Sequence, residues 1–129
     1  MFQNVYALII EDDMSDADVL QTLLLRLGFQ CDYVDNRGLF DALGDIPRPD
    51  IIFLDLQMPG MDGYQVLEEL HAIPELAGIP IVAYTAHLTE SQAAKRAGFH
   101  SFLGKPLKSS QLAGQLQRIM NNEHIWEVR

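Results

Sequence analysis

The sequence predicts a doubly wound α/β domain built on a five-stranded parallel sheet, and three observations carry that prediction. Short, nearly continuous apolar runs recur along the chain. Stretches of helical period separate them, and acidic, hydroxyl or basic residues stand at or just after the ends of several runs. Runs without polar interruption suit parallel strands buried on both faces. Right-handed crossovers between such strands place helices on both sides of the sheet.

The strong strand candidates are Val5 to Ile10, Ile51 to Leu54 and Ile79 to Tyr84; Phe29 to Val34 and Ser101 to Leu103 are weaker ones. Ser15, three residues before Asp18, resembles a capping box for a first helix that turns Ala17, Leu20, Leu24 and Leu27 to one face and stops at Gly28. A second helix is expected over about Arg37 to Leu43, with Leu39, Phe40 and Leu43 inward, before Pro47 and Pro49 break the chain. Asp62 is placed to cap a third helix carrying Val66, Leu67 and Leu70. Thr89 is placed to cap a fourth, whose apolar side is little more than Ala93, Ala94 and Ala97. Leu112, Leu116, Ile119 and Met120 define the inward stripe of the last helix.

At 129 residues the chain has the size of one domain. We read 1–122 as that domain and 123–129 as a short tail, a helix end or frayed terminus, with no output domain. The net charge is −9 and Lys95, Arg96, Lys105 and Lys108 form no basic patch, which argues against direct nucleic-acid binding. No apolar run approaches the roughly 20 residues that span a bilayer, and the N-terminus lacks the positive region of a signal peptide, so a cytoplasmic location with no membrane association is expected. A single cysteine, Cys31, excludes an internal disulfide and is read as a small buried residue on a strand.

Ligand sites in such sheets lie beyond the carboxyl ends of the strands. There the sequence places Glu11, Asp12 and Asp13 after the first strand, Asp55 at the end of the third, Thr85 at the end of the fourth and Lys105 after the fifth. Several carboxylates in one crevice repel, since two unit charges 4 Å apart interact by about 4 kcal/mol at an effective dielectric near 20. A hard divalent cation relieves that repulsion, and an oxygen-only crevice with few ligands suits Mg2+. Taken singly, Asp12, Asp13 and Asp62 also suit the positive ends of helices.

The strand before Glu11-Asp12-Asp13, the run LDLQMPGMDG around Asp55, the YTA around Thr85 and the GKP around Lys105 together resemble bacterial two-component response-regulator receiver domains of the stand-alone, chemotaxis-regulator type. The similarity runs from about Tyr6 to Met120, in the family's order. It implies the flavodoxin-like (βα)5 fold with strand order 2-1-3-4-5. It also implies that Asp55 accepts a phosphoryl group from a sensor histidine kinase or phosphotransfer protein. Mg2+ is then held by Asp12, Asp55 and the Gln57 carbonyl, with Glu11 acting through water. Thr85 and Lys105 bind the phosphoryl oxygens, Asp13 is not a ligand, and the Lys105-Pro106 bond is cis.

The resemblance further implies that Gln57 and His87 lean over the phosphoryl group and tune its lifetime. Phe102 matches a position often held by an aromatic that rotates on activation. The face made by helix 4, strand 5 and helix 5 then switches for a downstream protein of unknown identity, with a homodimer also possible. Such a domain assists its own phosphorylation and dephosphorylation and is not otherwise an enzyme. A receiver excised from a hybrid kinase or DNA-binding regulator would carry the same motifs. Two other classes fit poorly: the acidic EDDMSD after the first strand repels the phosphate of a flavin nucleotide, and Gln57 stands where an aspartate-based phosphatase wants a second acid.

Overall fold

The computed structural model of the chain describes residues 2–35 and 37–127. Its five-stranded sheet comprises β1 (Tyr6–Ile10), β2 (Gln30–Val34), β3 (Ile51–Asp55), β4 (Ile81–Thr85) and β5 (Ser101–Gly104), all parallel and ordered β2-β1-β3-β4-β5. This is the flavodoxin-like order expected. Helices α1 (Met14–Arg26), α2 (Leu39–Leu43), α3 (Gly63–His71), α4 (Ser91–Ala97) and α5 (Ser109–Met120) connect and cover the strands. None of the described helices is long and apolar enough to cross a membrane.

Side chains alternate across a strand, so the sheet sorts its residues into two cores. Leu8, Ile10, Ile52, Leu54, Ala83 and Phe102 pack with α2, α3 and α4 residues such as Leu39, Val66, Leu70 and Ala94. Ala7, Ile9, Phe53, Val82, Tyr84 and Leu103 pack with Leu20, Leu24, Leu112, Leu116 and Ile119 of α1 and α5. Each fully buried Leu or Ile contributes about 1.5–3 kcal/mol. The central strands β1, β3 and β4 are buried along their whole length, which explains their unbroken apolar sequences.

Several local expectations are corrected. Asp13, not Ser15, caps α1, accepting from the Asp16 N–H at 3.1 Å. Helix α2 is only five residues long, and Phe40 lies 43% exposed on its outer side. Thr89 is no cap: Leu88–Glu90 forms a 3-10 turn that runs into α4, whose own cap position is Glu90 without a side-chain bond. In α4 only Ser91 and Ala94 are buried. Cys31 is on β2 but only half-buried, its thiol pushed up to about 12 by burial and by Asp32 beside it. By contrast, Asp62 caps α3 as anticipated, accepting from the Tyr64 N–H at 2.9 Å.

The described part of the C-terminal tail, 123–127, is not frayed. Beyond α5 the chain turns back and sets Trp126 beside Phe102 in a parallel β-bridge, with Ile125 buried. Residues 128–129 of the expected tail lie outside the described residues.

Gly28 fixes the exit of α1. Its φ of +101° belongs to the left-handed region, and a Cβ there would come 2.1 Å from the Phe2 carbonyl oxygen. Gly28→Ala is therefore expected to lower the unfolding free energy in urea by about 2 kcal/mol or more; a loss below about 0.5 kcal/mol would contradict the close approach.

Candidate functional site

Strand register assembles the site. Ile10 pairs with Leu54, Asp55 with Tyr84, and Thr85 with Gly104, so the carboxyl ends of β1, β3, β4 and β5 finish within about one residue of each other. Glu11 and Lys105 each follow the last residue of their strand and remain tied to the sheet. The Glu11 N–H donates to the Val34 carbonyl at 3.0 Å and the Lys105 N–H to the Thr85 carbonyl at 2.8 Å. The two-residue alternation does the rest. Glu11, Asp55, Tyr84 and Lys105 continue the row that faces α1 and α5, and Thr85 continues the opposite row.

Lys105 Nζ occupies the centre. It lies 2.8 Å from Glu11 Oε2, 2.8 Å from Asp16 Oδ2 and 3.4 Å from Asp55 Oδ2. Glu11 and Asp55 are buried, at 3% and 2% exposure. The Tyr84 hydroxyl donates to Glu11 Oε2 at 2.6 Å, and the Lys105 ammonium sits 4.6 Å from the Tyr84 ring centroid. The Asp13 N–H donates to Glu11 Oε1 at 3.1 Å, and the Gln57 N–H donates to Asp55 Oδ1 at 2.9 Å. Asp12 is half-buried beside this group. The cis Lys105-Pro106 bond is present, and a cavity of about 160 Å³ lies against Asp16, Val19, Tyr84, Lys105, Pro106 and Leu107.

Thr85 is fully buried and its Oγ1 accepts from the His87 N–H at 3.1 Å, while His87 itself is exposed. Gln57 is exposed at the start of a small antiparallel pairing, Gln57–Met58 with Met61–Asp62, that folds the loop after β3 back on itself. The predicted set thus converges on one edge. Two participants were not anticipated: Asp16, one helical turn past the acidic run, and Tyr84, whose phenol joins the ionic cluster beneath the acidic crevice. The first could have been found by following the helix period from Asp12 and Asp13; the second shows only as a polar-tipped aromatic at a strand end.

Charge explains the protonation pattern. Burial pushes Asp55 up from its ordinary 3.8 to about 6, and the neighbouring Glu11 carboxyl, hydrogen-bonded to it, adds to the rise against the Gln57 N–H and Lys105. Burial also acts to raise Glu11, but bonds from Asp55, Lys105, Tyr84 and the Asp13 N–H outweigh it and leave Glu11 below its usual range. Lys105 is held charged, the bonds to Asp16 and Glu11 and the charge of Asp55 overcoming its own burial.

The donor set fits a hard cation by its chemistry: carboxylate and carbonyl oxygens in excess of the one ammonium. Among the described residues no three such side chains form a ready-made cage. Mg2+ commonly binds through only one or two carboxylates and keeps several waters, so it does not require such a cage.

Fold and site together define a class, an α/β module with a buried aspartate and an acid–lysine crevice at its strand ends. Residues 7–117 match the model of the response regulator receiver domain, and the chain belongs to that family. It is therefore a receiver domain of two-component signalling. It is 37% identical over 117 residues to the sensor histidine kinase GacS of Pseudomonas protegens, covering 82% of this chain but only 12% of that kinase. It is 28% identical to protein PilH of Pseudomonas aeruginosa, covering 88% of this chain and 95% of PilH. Among solved structures, the receiver domain of sensor histidine kinase PA1611 from Pseudomonas aeruginosa, described with magnesium coordinated in its active-site cleft, superimposes with a TM-score of 0.79. That match has 28% identity and covers 91% of this chain and 98% of that domain.

Asp55 supplies a pH test. Its folded carboxyl titrates above its unfolded value, so between about pH 4 and 6 the folded state holds the extra proton and stability falls as pH rises. Glu11 acts in the opposite sense and lower, its stabilisation being lost only as pH falls through its depressed value. In Mg2+-free buffer Asp55→Asn is therefore expected to be more stable than wild type by about 1–3 kcal/mol near neutral pH, the gain fading towards about pH 4. A constant difference across that window would contradict the assignment.

Proposed function

We propose that this receiver accepts a phosphoryl group on Asp55 from a sensor histidine kinase or phosphotransfer protein, and passes the change to a downstream protein through the face of α4, β5 and α5. The observation that carries this reading is the buried Asp55 carboxylate at the end of β3, with Lys105 Nζ 3.4 Å away and the Thr85 hydroxyl at the neighbouring strand end. Histidine kinase relatives and the absence of a long apolar helix among the described residues support a cytoplasmic signalling role.

In the transfer, an Asp55 oxygen forms a bond to phosphorus as the bond from phosphorus to the donor's nitrogen breaks; the electron pair leaves with that nitrogen, which takes a proton. Phosphoryl transfer depends on alignment and neutralisation of the equatorial oxygens. The Gln57 N–H orients the acceptor through Asp55 Oδ1. Lys105, held charged by Glu11 and Asp16, shifts a short way to pair with the phosphoryl group. Thr85 turns its hydroxyl to donate to a phosphoryl oxygen. Asp12, Asp55 and the Gln57 carbonyl would hold Mg2+, with Glu11 acting through water, and the ion would supply the remaining neutralisation.

The similarity spans 95% of PilH, a protein of receiver size. The 12% share of GacS makes the receiver of a hybrid kinase the second reading, with the same chemistry at Asp55. Incubation with a small-molecule phosphoryl donor is expected to add one phosphoryl group to the intact mass, only with Mg2+ and not in Asp55→Asn. An adduct that persists in Asp55→Asn, or that forms equally without Mg2+, would overturn the proposal.

A further inference from the structure

Strand β5 ends the main sheet, and an edge strand offers unpaired N–H and C=O groups to any extended segment. Here the chain covers that edge with its own end. The Phe102 N–H donates to the Ile125 carbonyl at 2.8 Å and the Glu127 N–H to the Phe102 carbonyl at 2.9 Å, so that Trp126 bridges Phe102 in parallel. The next outward donor, the Gly104 N–H, is taken by the Glu127 side chain, Oε1 at 3.1 Å. The Trp126 ring stacks on Phe102 at 5.5 Å between centroids, and Lys95 of α4 reaches to 5.9 Å over the indole. Upstream, the Ile125 N–H donates to Ser101 Oγ and His124 Nδ1 to the His100 carbonyl.

The seat adjoins the acidic crevice. A Cβ on Gly104 would come 2.7 Å from Leu88, so Leu88 fills the space over the residue that holds Glu127. Leu88 lies three residues beyond Thr85, and Lys105 directly follows Gly104 with its N–H on the Thr85 carbonyl. A shift of Thr85 or Lys105 towards a new anion on Asp55 therefore acts on both sides of Gly104. The backbone pairing of the tail there is one isolated bridge rather than a ladder, so most of its hold comes from side chains, the Trp126 ring on Phe102, the Glu127 carboxylate on Gly104 and buried Ile125.

We propose that the outer edge of β5 is a docking surface for an extended partner segment, that residues 125–127 occupy it as an intramolecular competitor, and that a phosphoryl group on Asp55 weakens their hold. The occupant that the edge fits is a parallel strand offering an aromatic ring to Phe102 and, next in sequence, a carboxylate to the Gly104 N–H, recognised by strand addition. The regulation rests on the reading of Asp55 as acceptor; the surface does not.

The probe is a fluorescein-labelled peptide of residues 121–129, followed by anisotropy against the whole chain and against its Trp126→Ala/Glu127→Ala variant. A tethered tail competes at an effective concentration in the millimolar range, so the peptide should bind the variant roughly tenfold or more tightly than wild type. A peptide carrying Trp126→Ala should not bind. Equal affinity for the two proteins, or none for the variant, overturns the surface. If the double variant melts below the assay temperature, Glu127→Ala alone takes its place. Adding phosphoryl donor and Mg2+ should tighten binding to wild type and leave Asp55→Asn unchanged. Unchanged affinity in protein whose mass carries the phosphoryl group overturns the regulation; absence of any adduct overturns the role of Asp55, and with it the regulation, while the first comparison still decides the surface.

Discussion

A single ammonium group, Lys105 Nζ, stands among the Glu11, Asp16 and Asp55 carboxylates, closer to the first two than to the third. Asp16 is 45% exposed and screened by solvent, but Glu11 and Asp55 are buried, and one positive charge shared with Asp16 cannot fully neutralise that pair, where an uncompensated charge is costly. The site answers in two ways. Asp55 keeps a proton to higher pH than an ordinary aspartate, and the Tyr84 phenol donates to Glu11 from beneath. A further positive charge in the crevice would draw the Asp55 carboxyl back towards its ordinary range, the ionised form that the proposed phosphoryl transfer requires. The burial and neighbouring carboxyl that hold Asp55 above its ordinary range are thus what a bound cation would offset.

That imbalance exists because of the sheet. Parallel register finishes four strands at one level, and the alternation of side chains turns Glu11, Asp55, Tyr84 and Lys105 to one side. Hydrophobic burial of β1, β3 and β4 on both faces locks the register, since a slip of one residue would exchange the two cores. The polar cluster is therefore held by apolar packing several residues away. Tyr64, whose hydroxyl bonds Glu90, adds a tie between α3 and the connection that carries Thr85 and Leu88.

Much of this was legible in the sequence because the informative residues sit at strand ends, where unbroken apolar runs mark position sharply. The five strands, their helices and the converging Glu11, Asp55, Thr85 and Lys105 follow from those runs and their endings, and the family from the resemblance of the motifs around them. What escaped depended on contacts between distant segments. Asp13 rather than Ser15 is the cap because α1 begins at Met14, directly after the acidic run. Phe40 lies outward because α2 is too short to turn a full apolar stripe inward. Tyr84 read as one more strand aromatic, and its partner Glu11 is 73 positions away. The tail has Ile125, Trp126 and Val128 as its apolar residues, too few to show a period, yet the first two find places against β5.

The most direct measurement of the charge imbalance is the thermal midpoint of the wild-type chain at neutral pH, titrated with Mg2+ against a sodium salt of equal ionic strength. A cation that relieves repulsion between Asp55 and its acidic neighbours binds only the folded chain, so the midpoint should rise steadily with Mg2+ and scarcely with sodium. Asp55→Asn should respond much less. Identical curves for Mg2+ and sodium in the wild type would contradict the account, because the crevice would then have no unmet demand for positive charge.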